Sequence, residues 1–544
     1  MRENLRVAVL VASACLLFVA LAGLGTRGEP YAPNEWAFSH VILAERAVES
    51  GHLPINERVA TQNSLSQTNS AFQKSLGFPR LTFYATTVWH FWNGLPLQPS
   101  LLATLSVLTG LSPEAASRLP VAGVVVVLLV GATAGLLLAR RRGDARAGGI
   151  ALFAIACGSA PFLLDMRVLM PSTTVVLLAL LLHGLLRRAL LKDRAALAFS
   201  LTPLLLLPFW YYTVAYFVML LFLAFALGHL LLRRERHSLI PLWVCLLLPL
   251  LLAVSLLVNG ALTSHLELAR QTLGSLWMGP DAGSDYRSHL NREPWRSALL
   301  YAQVILLFVP LGWMGVQAAA SRMRSQRLGP HRVVFAAWAL GGLLFSLLLE
   351  GAVGISFLNR SVIYLAPAAA IVAAWTLAPF WEKRSVRVGA LAAVALLGLG
   401  SAGLVAGATP SYAPGEAPAY GWMAAHVDHG DLVYSSLEAS SVLLREDDFV
   451  NVVAFPPSET LLERFWYSHD VASLAPYLPS FDEFVLRHAV ATQGFEEFGP
   501  ARLPIGQEAY AKFGASRDLH LVYDDGDVQV FRVAMQPERL PFIT

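Results

Sequence analysis

The stretch VAGVVVVLLVGATAGLLLARRR, residues 121–142, decides the architecture of this 544-residue chain. Its apolar part carries no charge, and as a helix rising ~1.5 Å per residue it covers ~27 Å, close to the hydrocarbon thickness of a bilayer. Arg140, Arg141 and Arg142 then end the run with a cluster of fixed charge, the mark of a cytoplasmic end.

Similar runs lie on both sides of it. With 56% hydrophobic and 14% charged residues, the chain departs from a soluble domain, of which roughly a quarter is charged. We read about eleven spans, at 6–25, 118–139, 148–165, 171–188, 195–212, 213–232, 239–258, 297–317, 332–349, 361–380 and 387–407. The run 195–232 is too long for one crossing. Pro208, Tyr211 and Tyr212 near its middle predict a tight reversal there.

Arginine gives the sidedness. The short connectors hold Arg140, Arg141, Arg142 and Arg146, then Arg187, Arg188, Lys192 and Arg194, then Arg233, Arg234 and Arg236. Later ones hold Arg322, Arg324, Arg327 and Arg332, then Lys383, Arg384 and Arg387. With Arg2 and Arg6 these are 20 of the chain's 40 basic residues, all on segments expected to face the cytoplasm. An odd number of spans leaves the C-terminus outside, and the tail 408–544 is acidic, with 20 Asp and Glu against 8 Lys and Arg. The expected class is therefore an α-helical polytopic protein of the cytoplasmic (inner) membrane, N-terminus in. Its transmembrane domain is 1–407, and a small extracytoplasmic α/β domain fills 408–544. The first span has no clear small-x-small cleavage site after it and reads as retained rather than as a signal peptide.

The first outer loop, 26–117, opens with a helical pattern over 35–50. Its part 78–112 is apolar but broken by Asn93, Gly94, Pro96 and Pro99, which predicts interfacial helices rather than a crossing. In the tail, 414–427 reads as a helix and 430–435 as a strand feeding another helix. LHLVYDDGDVQVFRV, 519–533, reads as a hairpin turning at Asp525-Gly526.

The candidates for chemistry sit where this topology meets the outer surface. PYAPNEWAFSHVILAERAVESGHLP, 30–54, places Asn34, Glu35 and His40 just beyond the first span, a depth where ionisable groups usually meet a substrate, an ion or each other. Partial desolvation raises a carboxyl pKa and improves Glu35 as a general base; the plain alternative is an acid at a helix N-terminus. Asp165 and Arg167 lie at the outer end of the third span in APFLLDMRVLMPSTT, 160–174, either completing a polar pocket or forming a local ion pair. Arg360, in ISFLNRSVIYLAP, 355–367, is one of the scarcer outer-face arginines and has Tyr364 one turn deeper. A guanidinium there suits a lipid-linked phosphate, or snorkels to headgroups.

Several classes lack their residues. Cys15, Cys157 and Cys245 all lie within spans, so no disulfide framework or zinc knuckle is on offer. There is no G-x-x-x-x-G-K-[ST] loop and there are four lysines in all, which speaks against an ATP-driven pump. H-E-x-x-H and G-x-S-x-G are absent, and basic residues without interleaved aromatics speak against nucleic acid. No cofactor is named by these residues; there is room for a divalent metal.

Four segments together resemble the GT-C superfamily of membrane glycosyltransferases, which includes protein mannosyltransferases, oligosaccharyltransferase catalytic subunits and aminoarabinose transferases. They are 30–54, like the family's first-loop acidic segment; 108–143, like its approach to the second span; 160–174, like the outer turn after the third; and 357–375, like a late arginine–tyrosine–proline segment. The resemblance implies inverting transfer of a sugar from a polyprenyl-phosphate donor to a lipid, glycan or protein acceptor at the outer face. An acid of the first loop serves as base. Carried over, Glu35 matches the second acid of the family's acidic pair and Arg360 its donor-phosphate arginine. Joined to the residue reading above, Glu35 and Asp165 are the catalytic candidates, and Asn34, His40, Arg167, Arg360 and Tyr364 the substrate-binding ones. Two positions depart from the pattern: Asn34 stands where an aspartate is usual, and Ser172 follows Pro171 where many relatives have an acid. Either Glu35 and Asp165 supply the carboxylates, or the chain has the fold without the catalysis and assists surface-glycan assembly. A lipid-linked sugar transporter is a third reading, opposed by the scarcity of charge within the spans.

Overall fold

A computed structural model describes residues 35–51, 97–119, 121–139, 169–231, 239–258, 308–317, 329–347, 358–385, 415–428, 431–435, 451–454, 463–475, 482–492, 495–496, 501–502 and 504–534, with single positions between them. The chain divides into two compact units. One comprises Met1–Arg27, Arg118–Gly283 and Leu290–Ala408; the other comprises Gly28–Ser117, Ser284–His289 and Thr409–Thr544. First-loop elements thus cluster with the tail.

In that second unit, α1 (Glu35–Ser50), α2 (Leu97–Thr109) and α3 (Pro113–Ser117) pack on one another. α1 buries Val41, Ala44 and Ala47, one stripe at helical spacing. It stops at Gly51, whose φ of 74° lets its N–H close on the Ala47 carbonyl at 3.0 Å.

The first unit is a helical bundle of α4 (Val121–Leu138), α5 (Leu169–Leu191), α6 (Arg194–Leu201), α7 (Leu207–Trp210), α8 (Tyr212–Leu231), α9 (Leu242–Val258), α10 (Pro330–Phe345) and α11 (Leu358–Leu377). Residues 308–317 are helical too. α5 is central, touching α4, α6, α10 and α11; α8 packs on α9 and α10. The expected spans at 118–139, 171–188, 213–232, 239–258, 332–349 and 361–380 coincide with α4, α5, α8, α9, α10 and α11. The span at 195–212 is broken. Pro203 and Pro208 lack the N–H that would continue the ladder, so α6 passes through a 3₁₀ turn, Thr202–Leu206, before α7. The span at 6–25 lies outside the described residues, and 148–165, 297–317 and 387–407 are described only in part.

Three helices among the described residues are long and apolar enough to cross a membrane: Pro113–Leu138, Thr173–Leu191 and Ile363–Trp381. α9 exposes Trp243, Leu246, Leu250 and Val254 while burying Cys245, Leu248, Leu252 and Leu256, an apolar helix on both faces, as a lipid-facing segment must be. Small residues set the closest helix approaches. A Cβ on Gly341 of α10 would stand 2.9 Å from the Leu221 Cα of α8, and one on Gly184 of α5 would stand 2.1 Å from the Ser200 Oγ of α6.

The tail contributes α12 (Glu416–His426), β1 (Leu432–Ser435), β2 (Asn451–Ala454), β3 (Glu483–Arg487), α13 (His488–Thr492), the two-residue strands β4 (Phe495–Glu496) and β5 (Ala501–Arg502), α14 (Gln507–Ala515), β6 (Leu519–Asp524) and β7 (Val528–Val533). The main sheet runs β2-β1-β3-β7-β6, parallel among β2, β1 and β3 and antiparallel from β3 onward. The expected helix at 414–427, the strand at 430–435 and the hairpin at 519–533 correspond to α12, β1 and β6–β7, with Gly526 at φ 90° in the turn. The helix expected after that strand lies outside the described residues.

Every residue of β3 is buried. Phe484 and Leu486 join Phe465, Trp466, Phe513 and Phe531 in one core. On the opposite face, Arg487 forms a bidentate pair with Glu416 at the start of α12, Nε to Oε2 at 2.9 Å and Nη2 to Oε1 at 3.0 Å. The Tyr420 hydroxyl donates to the same carboxylate at 2.9 Å. Lys512 is also buried, its ammonium donating to the carbonyls of Phe465, Trp466 and Ser468, and burial brings its pKa down to about 8.

Candidate active site at one end of the bundle

Two cross-helix hydrogen bonds define one end of the first unit. Trp210 Nε1, in α7, donates to Thr173 Oγ1 near the start of α5 at 3.0 Å. Thr213 Oγ1, near the start of α8, meets the Tyr364 hydroxyl near the start of α11 at 2.8 Å, both residues buried. The starts of α5, α8 and α11 therefore share an end.

The opposite end gathers the basic connectors. Arg187 in the last part of α5 pairs with Asp193 at 2.8 Å, and Asp193 caps α6 through the Ala196 N–H at 3.0 Å. Arg332 in the first turn of α10 lies 5.8 Å from the Trp375 ring, late in α11. Helix direction and arginine placement thus agree on two unlike ends, one cationic and one lined by aromatic and hydroxyl groups.

At the aromatic end the helices are locked. The Tyr364 ring sits 5.4 Å from Phe217 and 5.6 Å from Phe345, and the Trp338 indole donates to the Tyr364 carbonyl at 3.1 Å. α7 meets α8 without a loop, because Tyr211 alone is extended, at φ −165° and ψ 105°. The tyrosine reversal expected from the sequence is therefore a one-residue corner. Tyr211 and Tyr212 lie 5.7 Å apart and Tyr212 and Tyr216 6.2 Å, a half-buried row of phenols.

Of the residues singled out from the sequence, Glu35 opens α1 and His40 follows it on that helix, in the second unit. Arg360 is in the first turn of α11, one turn before Tyr364 toward the aromatic end. Asn34, Asp165 and Arg167 lie outside the described residues. Tyr364 is 1% exposed and spends its hydroxyl on Thr213, so in the bundle it holds the start of α11 in place. Thr173, Trp210, Thr213 and Trp338 went unremarked in the sequence reading. Their signal was weak: short polar residues and indoles near helix ends, where membrane interfaces put many of them. Among the described residues, no three His, Cys, Asp or Glu side chains are placed to hold a metal ion.

No protein-family model matches the chain, and no curated protein does. By structure, it is similar to the archaeal oligosaccharyltransferase AglB of Archaeoglobus fulgidus in complex with an inhibitory peptide and a dolichol-phosphate. The TM-score is 0.57 at 12% identity, over 90% of this chain and 70% of that one. The same enzyme crystallised with Zn and sulfate aligns at 0.55 and 13% identity, over 89% and 68%. ArnT of Cupriavidus metallidurans aligns at 0.49 and 14% identity, over 98% and 99%. On the oligosaccharyltransferase alignments, spanning helices and tail together, the chain has the GT-C fold.

Proposed function

We propose that the chain is a membrane glycosyltransferase that moves a sugar from a polyprenyl-phosphate donor to a hydroxyl of a lipid, glycan or protein acceptor on the outer side of the cytoplasmic membrane. The observation that carries this is the GT-C fold along most of the chain, shared with AglB, which was solved in complex with a dolichol-phosphate. The locked aromatic end supports it, because Arg360 starts the helix that Tyr364 and Thr213 fix there.

In this reading Glu35 accepts the acceptor's hydroxyl proton as that oxygen attacks the anomeric carbon. The bond from that carbon to the phosphate oxygen breaks, its electron pair goes to the phosphate, and the configuration inverts. The Arg360 guanidinium meets the charge that grows on the departing phosphate. Asp165 supplies the second carboxylate, while Arg167, Asn34 and His40 contact the substrates and Tyr364 holds α11 behind Arg360. The acidic tail then lies outside with the acceptor.

Glu35→Gln tests it. Membranes carrying radiolabelled polyprenyl-phosphate sugars should lose transfer in this variant by about a hundredfold or more, the scale of general-base catalysis, at unchanged protein level. Unchanged transfer would remove Glu35 as base. Asn34, in a position where the resembling enzymes carry an aspartate, favours one further reading, a GT-C-fold protein without turnover that assists surface-glycan assembly. That reading predicts no transfer in the wild type either.

A further inference from the structure

We propose that Trp422, His426 and Tyr523 form a carbohydrate-binding ledge on the C-terminal α/β domain, shaped for the apolar face of a neutral or amino-sugar ring. The proposal goes beyond the transfer reaction and does not depend on it.

The rings come from two elements. Trp422 and His426 stand one turn apart on α12, and the His426 Nδ1–H donates to the Trp422 carbonyl at 2.8 Å. This bond fixes the imidazole tautomer and stacks its ring on the indole, 4.5 Å between centroids and 10° between planes. Tyr523 arrives from β6, with its ring 5.0 Å from Trp422 and tilted 31°. His426 is exposed, and Trp422 and Tyr523 are half-buried.

Tyr523 reaches Trp422 only because the strand breaks its alternation. In a regular strand Leu519, Leu521 and Tyr523 share a face, and Leu519 belongs to the core that contains Phe531 and Val533. Leu521 pairs with Phe531, but the register then shifts, and Tyr523 pairs with Val530. The extra residue is Val522. The bulge turns Tyr523 to the face that carries α12, and leaves Leu521 50% and Val522 37% exposed. A regular ladder would avoid this irregularity, and bulges that re-aim a side chain concentrate beside functional sites.

The rim suits a sugar. The Tyr523 hydroxyl donates to Asp525 Oδ2 at 3.0 Å. A planar carboxylate beside rings matches the adjacent hydroxyls of a pyranose, whose C–H face is drawn to the negative ring face. Asp524, Asp525 and Asp527 in one turn disfavour phosphate and anionic headgroups, so an anionic lipid surface is the poorer occupant.

Full-length protein in nanodiscs, applied to a printed array of neutral and amino-sugar oligosaccharides, tests the ledge. The tightest hit is then titrated by ligand-observed saturation-transfer NMR. Wild type should bind, with saturation concentrated on one ring face. Trp422→Leu and His426→Ala should weaken binding by about fivefold or more, and Tyr523→Phe, which keeps the stack, by less than either. His426 is exposed, so its variant separates lost binding from lost folding. A blank array with wild type, or equal affinity in wild type and His426→Ala, overturns the proposal; so does binding confined to anionic liposomes.

Discussion

Tyr364 and Thr213, 151 residues apart in sequence, meet hydroxyl to hydroxyl at 2.8 Å in the buried interior of the helical unit. The bond joins the starts of α8 and α11 and so sets the position from which Arg360 extends. Tyr364→Phe keeps the ring and its contacts with Phe217 and Phe345 while deleting the hydroxyl. We expect a loss of about 1 kcal/mol in stability and a larger fall in kcat/KM for transfer, since α11 bears Arg360. Thr213→Val should act on the same bond, and the double variant should cost less than the two single changes added. Thermal unfolding in detergent alongside transfer assays measures both effects.

Helix crossing at Gly341 leaves no room for a side chain. Its Cβ would press on the Leu221 backbone, which cannot rotate away as a side chain can. Gly341→Val should therefore abolish the folded peak in fluorescence-detected size exclusion. Gly228→Ala on α8, where nothing lies within 4 Å of the added carbon, should leave that peak intact.

The Glu416–Arg487 pair has both side chains almost wholly buried, at 0% and 3% exposure. Arg487→Met would strand the carboxylate in the interior, at a cost of about 3–5 kcal/mol. Removing both charges in Glu416→Gln with Arg487→Met should recover part of that loss. Hydrogen exchange across α12 and β3 reads the result locally, without needing the helical unit to unfold.

Glu483 predicts a pH dependence. Burial raises its carboxyl above the ordinary 4.5, although the exposed Arg532, 2.8 Å away, opposes the shift. The folded domain thus holds a proton that the unfolded chain gives up near 4.5. Its stabilising contribution is complete below that pH and disappears as pH rises through the folded value. Asp431, also raised by burial and by neighbouring Asp482 and Asp428, adds in the same direction. Exchange protection of β3 and β7, corrected for intrinsic rates, should fall as pH climbs above 4.5, and by less in Glu483→Gln.

Much of this was legible in the chain, and the misses share a physical cause. Composition and run length located α4, α5, α8, α9, α10 and α11, because a bilayer demands long uncharged segments and leaves few alternatives. Tyr211 and Tyr212 marked the corner between α7 and α8. The α6–α7 break was not foreseen: Pro208 was read with the tyrosines as part of the reversal, and Pro203 sits in a run whose hydrophobicity does not change across it. The hairpin at 519–533 was legible, but the bulge at Val522 that turns Tyr523 to the other face has no local sequence signal. Pairings such as Thr213 with Tyr364 and Trp210 with Thr173 depend on helix rotation. Hydropathy, nearly uniform around a membrane helix, encodes that rotation poorly.

The two-residue turn between α5 and α6 has a bearing on how the protein is made. Lys192 takes a left-handed conformation, at φ 59°, Asp193 closes the next helix, and the Arg188 guanidinium donates to the Lys192 carbonyl at 2.9 Å. With Gly184 and Ser200 in close apposition just beyond it, this hairpin has no slack. α6 is cut short by Pro203 and is a poor candidate for entering lipid alone, whereas α5 contains Thr173–Leu191, a stretch long and apolar enough to cross. We expect α6 therefore to enter the bilayer behind α5, as the second arm of one tight hairpin.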